Sequence, residues 1–332
     1  MSSKILTVCI KDERGGSIYE EEVKAILQKS YNIETLELDT KKNKWLIFGK
    51  LKFYYQLKTY RHYKKYDILL ANKVSVYSGI PTKYFNKKIL VVHHYSINEN
   101  PYPVIRNIIH KRFFSRLNDF DTIVVVADYW KQFIEAHINT KLVQVKVIRN
   151  SFNVELLQFI QQQINKAAFI KKYSIPEDKI IVYAGNALKI KGYTEVIKHL
   201  NSKKYFIITS GAKEGAVNHL HLNLSYAEYI QLLCIADVTI ILSRLQEGWN
   251  RIAHESLVCG TPVIGTEVAG LGELLHNSGQ LIFKDGDNLD HLIETVKENE
   301  QIIVAGRSYV EQFNVDYFTK EWIDLLGKHA NE

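Results

Sequence analysis

Two glutamates eight residues apart, Glu247 and Glu255, sit in the stretch Glu247-Gly-Trp-Asn-Arg-Ile-Ala-His-Glu255-Ser-Leu-Val-Cys-Gly-Thr-Pro-Val-Ile264. An apolar run ends before it at residue 242, and a helix starts near Trp249. Carboxylates in such a loop and in the helix it opens are acceptors suited to the hydroxyls of a sugar or a ribose. The free N–H groups of a helix start favour a phosphate. One short segment thus offers complementary groups for sugar, phosphate and ribose. Asn250 can cap the helix, and Arg251 beside it can meet a phosphate or pair with an acid. Gly260 ends the helix and Pro262 opens the next strand. Three other junctions between an apolar run and a helical stretch carry polar groups. They are Gly185-Asn186-Ala-Leu-Lys189-Ile-Lys191-Gly192, Glu13-Arg14-Gly15-Gly16-Ser17, and the pair His93-His94 before Ser96. Paired glycines let a ligand approach the backbone, and they also serve a tight turn.

The elements that would position these residues follow from periodicity. Strands are expected at 4–10, 32–38, 67–71, 88–92, 121–126 and 145–148, with helices near 16–30, 45–65, 103–117 and 128–138. The pattern then restarts. Strands are expected at 179–184, 204–209, 238–242, 262–265 and 280–283, with helices near 192–200, 225–236, 249–259, 270–276 and 287–299. Residues 151–178, polar and rich in Gln, interrupt the two series, and the tail from about 306 to 330 reads as one more helix. Strands separated by helices imply βαβ units and parallel sheets. The runs 122–126 and 238–242 are apolar on both faces, as buried parallel strands are. The reading is an α/β protein of two doubly wound, Rossmann-like domains facing each other across a cleft. The expected boundaries are 1–160, 161–310, and a helix within 311–332 that returns to the first domain. Doubly wound domains bind ligands beyond the carboxyl ends of their strands, which is where the residues above lie.

Composition fits that picture. The 332 residues are 46% hydrophobic and 24% charged, enough for two ordinary cores. Cys9, Cys234 and Cys259 are far apart and in no metal-ligand spacing, which suits buried thiols in a reducing compartment. The apolar run 5–10 is too short for a signal peptide, and no stretch approaches a bilayer span. A cytoplasmic location is expected. Charge is uneven: residues 1–150 hold 26 Lys and Arg against 14 acids, a balance of +12, whereas 151–332 balance to −5. That asymmetry points to an anionic partner for the first half. Residues 41–66 carry nine Lys and Arg and no acid, interleaved with Trp45, Phe48, Phe53, Tyr54 and Tyr60. With 103–117, this segment suits an anionic membrane surface, or it is a sheet-covering helix with snorkelling lysines.

The Glu247–Ile264 segment resembles the Glu-x7-Glu signature of glycosyltransferase family 4, E-G-[FW]-G-x4-E-A-x3-G-x-P-V. The resemblance continues through Gly265-Thr-Glu-Val-Ala-Gly-Leu-Gly-Glu-Leu274. It implies a retaining transferase of the GT-B architecture that needs no metal or other cofactor. It implies that Glu247 and the backbone of Gly248, Trp249, Asn250 and Arg251 hold the donor sugar, and that Glu255 holds the ribose. The loop at 185–192 is similar to the family's G-R-L-x3-K-G stretch. There Lys191 stands for the diphosphate-holding lysine, Asn186 replaces the arginine, and Lys189 is a candidate substitute. Asn250 likewise stands where the family has a second glycine. By the same resemblance Ser210 and Gly211 lie near the nucleotide, Gly15 and Gly16 near the diphosphate, and His94, with His93 as alternative, near the sugar. The implied substrates are a UDP- or GDP-linked sugar and a glycan or lipid-linked acceptor, in cell-surface polysaccharide or glycolipid synthesis, with peripheral attachment to the inner face of the membrane. Two alternatives share the features: an inactive sugar-nucleotide-binding partner subunit, and a GT-B sugar-nucleotide epimerase. A nucleic-acid reading would use the basic aromatic face but leaves Glu247, Glu255 and Lys191 without a role.

Overall fold

Apolar β-branched runs form the strands, and the helical stretches between them cover both faces of two parallel sheets. The computed structural model describes residues 3–11, 15–39, 46–95 and 103–327. The chain forms two compact units. One comprises residues up to Asn150 together with those from Asp316 onward, and the other comprises Ser151–Val315.

In the first unit the elements are β1 (Lys4–Lys11), α1 (Gly15–Leu27), β2 (Asn32–Asp39), α2 (Leu46–Thr59), β3 (Ile68–Asn72), α3 (Lys73–Tyr77), β4 (Lys87–Val92), α4 (Pro103–Phe114), β5 (Thr122–Val125), α5 (Asp128–Glu135) and β6 (Gln144–Val147). The sheet order is β2-β1-β3-β4-β5-β6, every pair parallel. Ile5 pairs with Ile33 on one side and Ile68 on the other, which fixes the register of β1. The final helix of the chain completes this core: its Phe318 and Trp322 are fully buried. The Tyr19 ring meets Phe318 edge-on at 5.0 Å and donates its hydroxyl to the Ile148 carbonyl at 3.1 Å. Lys87 Nζ donates to the Leu325 carbonyl at 2.6 Å, and Lys146 pairs with Glu321 at 3.0 Å.

In the second unit follow α6 (Val154–Gln162), α7 (Lys166–Lys172), β7 (Ile180–Tyr183), α8 (Tyr193–His199), β8 (Tyr205–Ser210), β9 (Leu220–Leu222), α9 (Tyr226–Ile235), β10 (Val238–Ile241), α10 (Arg251–Val258), β11 (Val263–Thr266), α11 (Ala269–Asn277), β12 (Leu281–Phe283), α12 (Leu289–Val296) and α13 (Glu300–Glu311); the last helix is α14 (Val315–Leu326). The sheet order is β12-β11-β10-β7-β8-β9, again all parallel. Val182, Val238, Ile240, Ile264 and Ile293 lie in its core. Winding reverses between β7 and β10 here, and between β1 and β3 in the first unit. Loops leave such a switch point in opposite directions, which opens a crevice at the carboxyl ends of the strands.

The sequence reading and the structure part at several places. Residues 151–178 are not a bare interruption: Asn153 accepts from Leu156 N and Asn165 from Ala168 N, each at 2.9 Å, and these caps start α6 and α7. The chain leaves the first unit after Asn150, so α6 belongs wholly to the second. The tail holds two helices, α13 and α14, broken at 312–314. Residues 46–66 do not form one helix either. α2 ends at Thr59, and Leu57, Tyr63 and Tyr66 turn inward, with the Tyr63 hydroxyl donating to the Leu57 carbonyl at 2.6 Å. Among the described residues no helix is long and apolar enough to cross a membrane.

Candidate functional site

The loops leaving β7 and β10 meet at the switch point of the second unit. After β7 the chain makes one tight turn at Lys189–Lys191 and reaches Gly192, whose φ of +82° favours glycine. A side chain there would start 1.9 Å from the Leu242 carbonyl oxygen, so the Lys191 loop lies directly against the exit of β10. Ile190 O accepts from Arg244 N at 3.2 Å across the same contact. On the other flank α11 begins hard against the Glu247 loop. Gly270 N donates to Glu247 O at 3.2 Å, and a Cβ on Gly270 would lie 1.7 Å from Gly248 O. The backbone around Glu247 is therefore fixed from both sides.

That packing leaves the Glu247 carboxylate buried, at 9% exposure, but fully partnered. Oε1 accepts from Lys191 Nζ at 2.8 Å and from Ser243 Oγ at 3.0 Å, and Oε2 accepts from Asn250 Nδ2 at 2.8 Å. Asn250 does two jobs, because its Oδ1 also caps α10 by accepting from Ala253 N at 2.8 Å. The Lys191 ammonium is about a quarter exposed, so the ion pair has one wet end. A pair of this kind is costly to break by removing one partner, since the other is left charged and buried. A ligand that brings an anion to Lys191 and a hydroxyl to Glu247 replaces both contacts at once.

One turn into α10, Glu255 is buried at 4% exposure. Tyr226 donates to Oε1 at 3.2 Å and Tyr229 to Oε2 at 2.8 Å, while Arg251 lies 3.7 Å from Oε1. Burial pushes the Glu255 carboxyl above its ordinary value, against the pull of Arg251 and of the two hydroxyls. The hydroxyls of Tyr226 and Tyr229 are themselves pushed up by burial, so they act as donors. The Arg251 guanidinium also lies over the Phe152 ring at 4.6 Å. That ring stacks on His254 at 3.6 Å, and burial holds His254 neutral, far below the usual histidine range. Trp249 belongs to this packing rather than to a ligand surface. It is 6% exposed, donates Nε1 to His254 Nδ1 at 3.2 Å and meets Phe313 at 5.8 Å, so only its backbone faces the Glu247 loop.

The other residues singled out in the sequence fall into two groups. Asn186, Ser210 and Gly211 follow β7 and β8, at the same end of the sheet. The Asn186 Oδ1 is buried with no partner among the described residues, and Ser210 Oγ bonds the Tyr183 hydroxyl at 2.8 Å. Lys189 is exposed, and its backbone N donates to Glu214 at 3.2 Å. In the first unit α1 starts at Gly15-Gly16, while Glu13, Arg14 and Ser96 lie outside the described residues. His93 packs edge-on against Tyr19 at 4.8 Å, with Nε2 3.6 Å from Glu20 Oε1. His94 offers its carbonyl to Lys73 Nζ at 3.4 Å. Sequence reasoning missed Glu20 and Asn72 in this unit. Asn72 Nδ2 donates to Glu20 at 3.2 Å and to Val8 O at 2.9 Å, at the β1–β3 switch point. It also missed Ser243, Tyr226 and Tyr229. The Ser225-Tyr-Ala-Glu228 capping box announces α9, but no local signal ties its tyrosines to Glu255.

Of the basic segment, residues 41–45 lie outside the described residues. Lys52, Lys58, Lys111 and Arg112 are exposed, as is Ile108. Lys58 and Arg112 lie over the Tyr54 ring at 5.2 and 5.6 Å.

Two parallel six-stranded sheets, each with a switch point lined by polar groups, define a two-domain α/β protein of the GT-B kind. Sucrose-phosphate synthase from Thermosynechococcus elongatus shares the fold with a TM-score of 0.76 at 15% identity, over 98% of each chain. An Anabaena HepE protein solved with UDP-glucose shares it with a TM-score of 0.70 at 16% identity, over 98% of this chain and 99% of that one. Residues 165–307, most of the second unit, match the family described as Glycosyl transferases group 1. The match covers less than half of the chain, and it makes the second unit similar to that family. An uncharacterized glycosyltransferase of Methanocaldococcus jannaschii is 23% identical over 222 residues, 65% of this chain. The aligned parts span between about a third and three fifths of the curated relatives' own lengths, 61% in that case.

Proposed function

We propose that the protein transfers a sugar, with retention, from a nucleoside-diphosphate sugar to a hydroxyl of a glycan or lipid-linked acceptor. The observation that carries this reading is the Lys191–Glu247–Asn250 cluster at the β7–β10 switch point, inside the segment that matches the family. In this reading Glu247 accepts from hydroxyls of the donor sugar. Glu255 accepts from the ribose. Lys191 neutralises the diphosphate as it becomes the leaving group, with Asn186, Lys189 and Arg251 near it. Ser210 and Gly211 border the nucleotide. The first unit supplies the acceptor side, with Gly15, Gly16 and the His93–His94 pair at its strand ends. Its exposed lysines suit an anionic membrane surface that would present a lipid-linked acceptor.

The test is to incubate purified protein with UDP- and GDP-sugars and to follow release of the nucleoside diphosphate with and without candidate acceptors. Turnover that is lost in Glu247→Gln with donor binding retained supports the assignment. Undiminished turnover in that variant removes it. A second reading, a binding subunit without activity of its own, has one observation in its favour: both Glu247 oxygens are already engaged, one of them by Asn250 where the family pattern has glycine. Tight donor binding with no turnover under any condition would select it.

A further inference from the structure

Resting on the assignment of Glu255 to the ribose, we propose that Tyr226 is a displaceable cover: its hydroxyl holds Glu255 and yields that place to a ribose hydroxyl. The two tyrosines on α9 are not equivalent. Tyr229 sits one turn into the helix, near the buried Tyr183 at a ring distance of 6.0 Å and 62° between planes. Its bond to Oε2 is short, 2.8 Å. Tyr226 is the first residue of α9, its side chain is 47% exposed, and its bond to Oε1 is longer, 3.2 Å. The only other donor beside Oε1 among the described contacts is Arg251 at 3.7 Å, which is shared with the Phe152 face.

A buried carboxylate left without donors is heavily penalised. Tyr226 removes that penalty by donating to Oε1. Being at a helix start and half in water, it can rotate away without opening the core. A ribose brings two adjacent hydroxyls, each a donor, and the incoming one that takes Oε1 competes with Tyr226 directly. Tyr229 stays and keeps the carboxylate in one orientation. Tyr226 is thus a competitor of the ribose for Oε1 and Tyr229 a positioning residue. Their removal is expected to have opposite signs.

The experiment titrates UDP and 2′-deoxy-UDP, and GDP with its 2′-deoxy form, into wild-type protein, Tyr226→Phe, Tyr229→Phe and Glu255→Gln by calorimetry. Tyr226→Phe removes a competitor, and the ribonucleotide is expected to bind about two- to tenfold tighter, the span of one net hydrogen bond. The ribo/deoxy preference persists in that variant. Tyr229→Phe is expected to bind the ribonucleotide more weakly and to lose the ribo/deoxy preference, with its melting temperature reported alongside. Unchanged or weaker ribonucleotide binding in Tyr226→Phe overturns the proposal, and because Tyr226 is at the surface that variant folds. Should Glu255→Gln keep the full ribo/deoxy preference, the assignment of Glu255 itself falls, an outcome distinct from failure of the cover.

Discussion

The two switch points of this molecule are built from the same sheet topology and filled differently. Between β7 and β10 a carboxylate, an ammonium, a hydroxyl and an amide form a closed set around Glu247, locked by two glycines that admit no side chain. Between β1 and β3 fewer polar groups are joined among the described residues. Glu20 leans on Asn72 and lies 3.6 Å from His93, and the surroundings are the aromatic packing of Tyr19 and α14. The family match falls on the richly furnished unit. The comparison teaches that the unit matching the family holds the polar groups of its switch point in one fixed geometry, whereas the other unit's switch point is set mainly in aromatic packing. The charge imbalance, +12 in residues 1–150 against −5 beyond, runs along the same divide.

That contrast can be broken by mutation. The largest expected effect is on stability in the first unit. Trp322→Ala is expected to cost about 3–5 kcal/mol in denaturant unfolding, the range for emptying a buried aromatic site, with nucleotide affinity under native conditions unchanged. A parallel loss of affinity would mean that the two units are not independent. In the second unit, Glu247→Ala is expected to lower the transfer rate about 10²- to 10³-fold, as loss of a preorganised polar group does, with circular dichroism unaltered. Lys191→Met is expected to weaken nucleoside diphosphate binding by roughly ten- to a hundredfold while nucleoside binding holds. An equal loss for both ligands would assign the lysine to support of Glu247 alone.

A pH titration sharpens the picture further. Burial raises the Glu255 carboxyl, opposed by Arg251 on its own helix and by Tyr229 and Tyr226 from α9, with Cys259 and Tyr183 also sensing its charge. A raised value means that the group gains its proton earlier on acidification than an ordinary glutamate, whose value is about 4.3. Nucleotide affinity is expected to decline as pH falls, with a midpoint above that value. Glu255→Gln flattens the curve, and a midpoint at the ordinary value would assign the decline to another carboxylate. The smallest effect belongs to the first unit's surface. Changing Lys52, Lys58, Lys111 or Arg112 singly to Ala is expected to reduce co-sedimentation with phosphatidylserine vesicles roughly fivefold in each case. Undiminished co-sedimentation would leave these residues as a solvated face.

Much of this was legible in the sequence, for a physical reason. Strands buried on both faces are continuous apolar runs, so β5 and β10 announce themselves. The stretch after β10 carries Gly260, which turns with positive φ behind α10, and Gly270, which packs against the Gly248 carbonyl. What escaped was tertiary or short. Tyr226 and Tyr229 reach Glu255 from more than 25 residues away. β9 has three residues, one of them His221, which bonds Thr209, and no apolar period can show in so brief a stretch. α6 and α7 are short and polar, and only the Asn caps at 153 and 165 mark them. The aromatic residues at 57–66 look like a membrane-facing stripe in the sequence, yet most turn to the core, because hydrophobic spacing does not say which side of a helix end faces inward.

The first unit is discontinuous in the chain, since α14 returns to it after the whole of the second unit has been made. On the ribosome, then, residues 1–150 emerge without the helix that roofs Tyr19, and they wait for it until the whole second unit has been made. A chain shortened by its final two dozen residues would keep every group around Glu247 and still deliver a first unit with an open core. Such a fragment is a natural client for chaperones, and a poor choice for anyone seeking a minimal active protein.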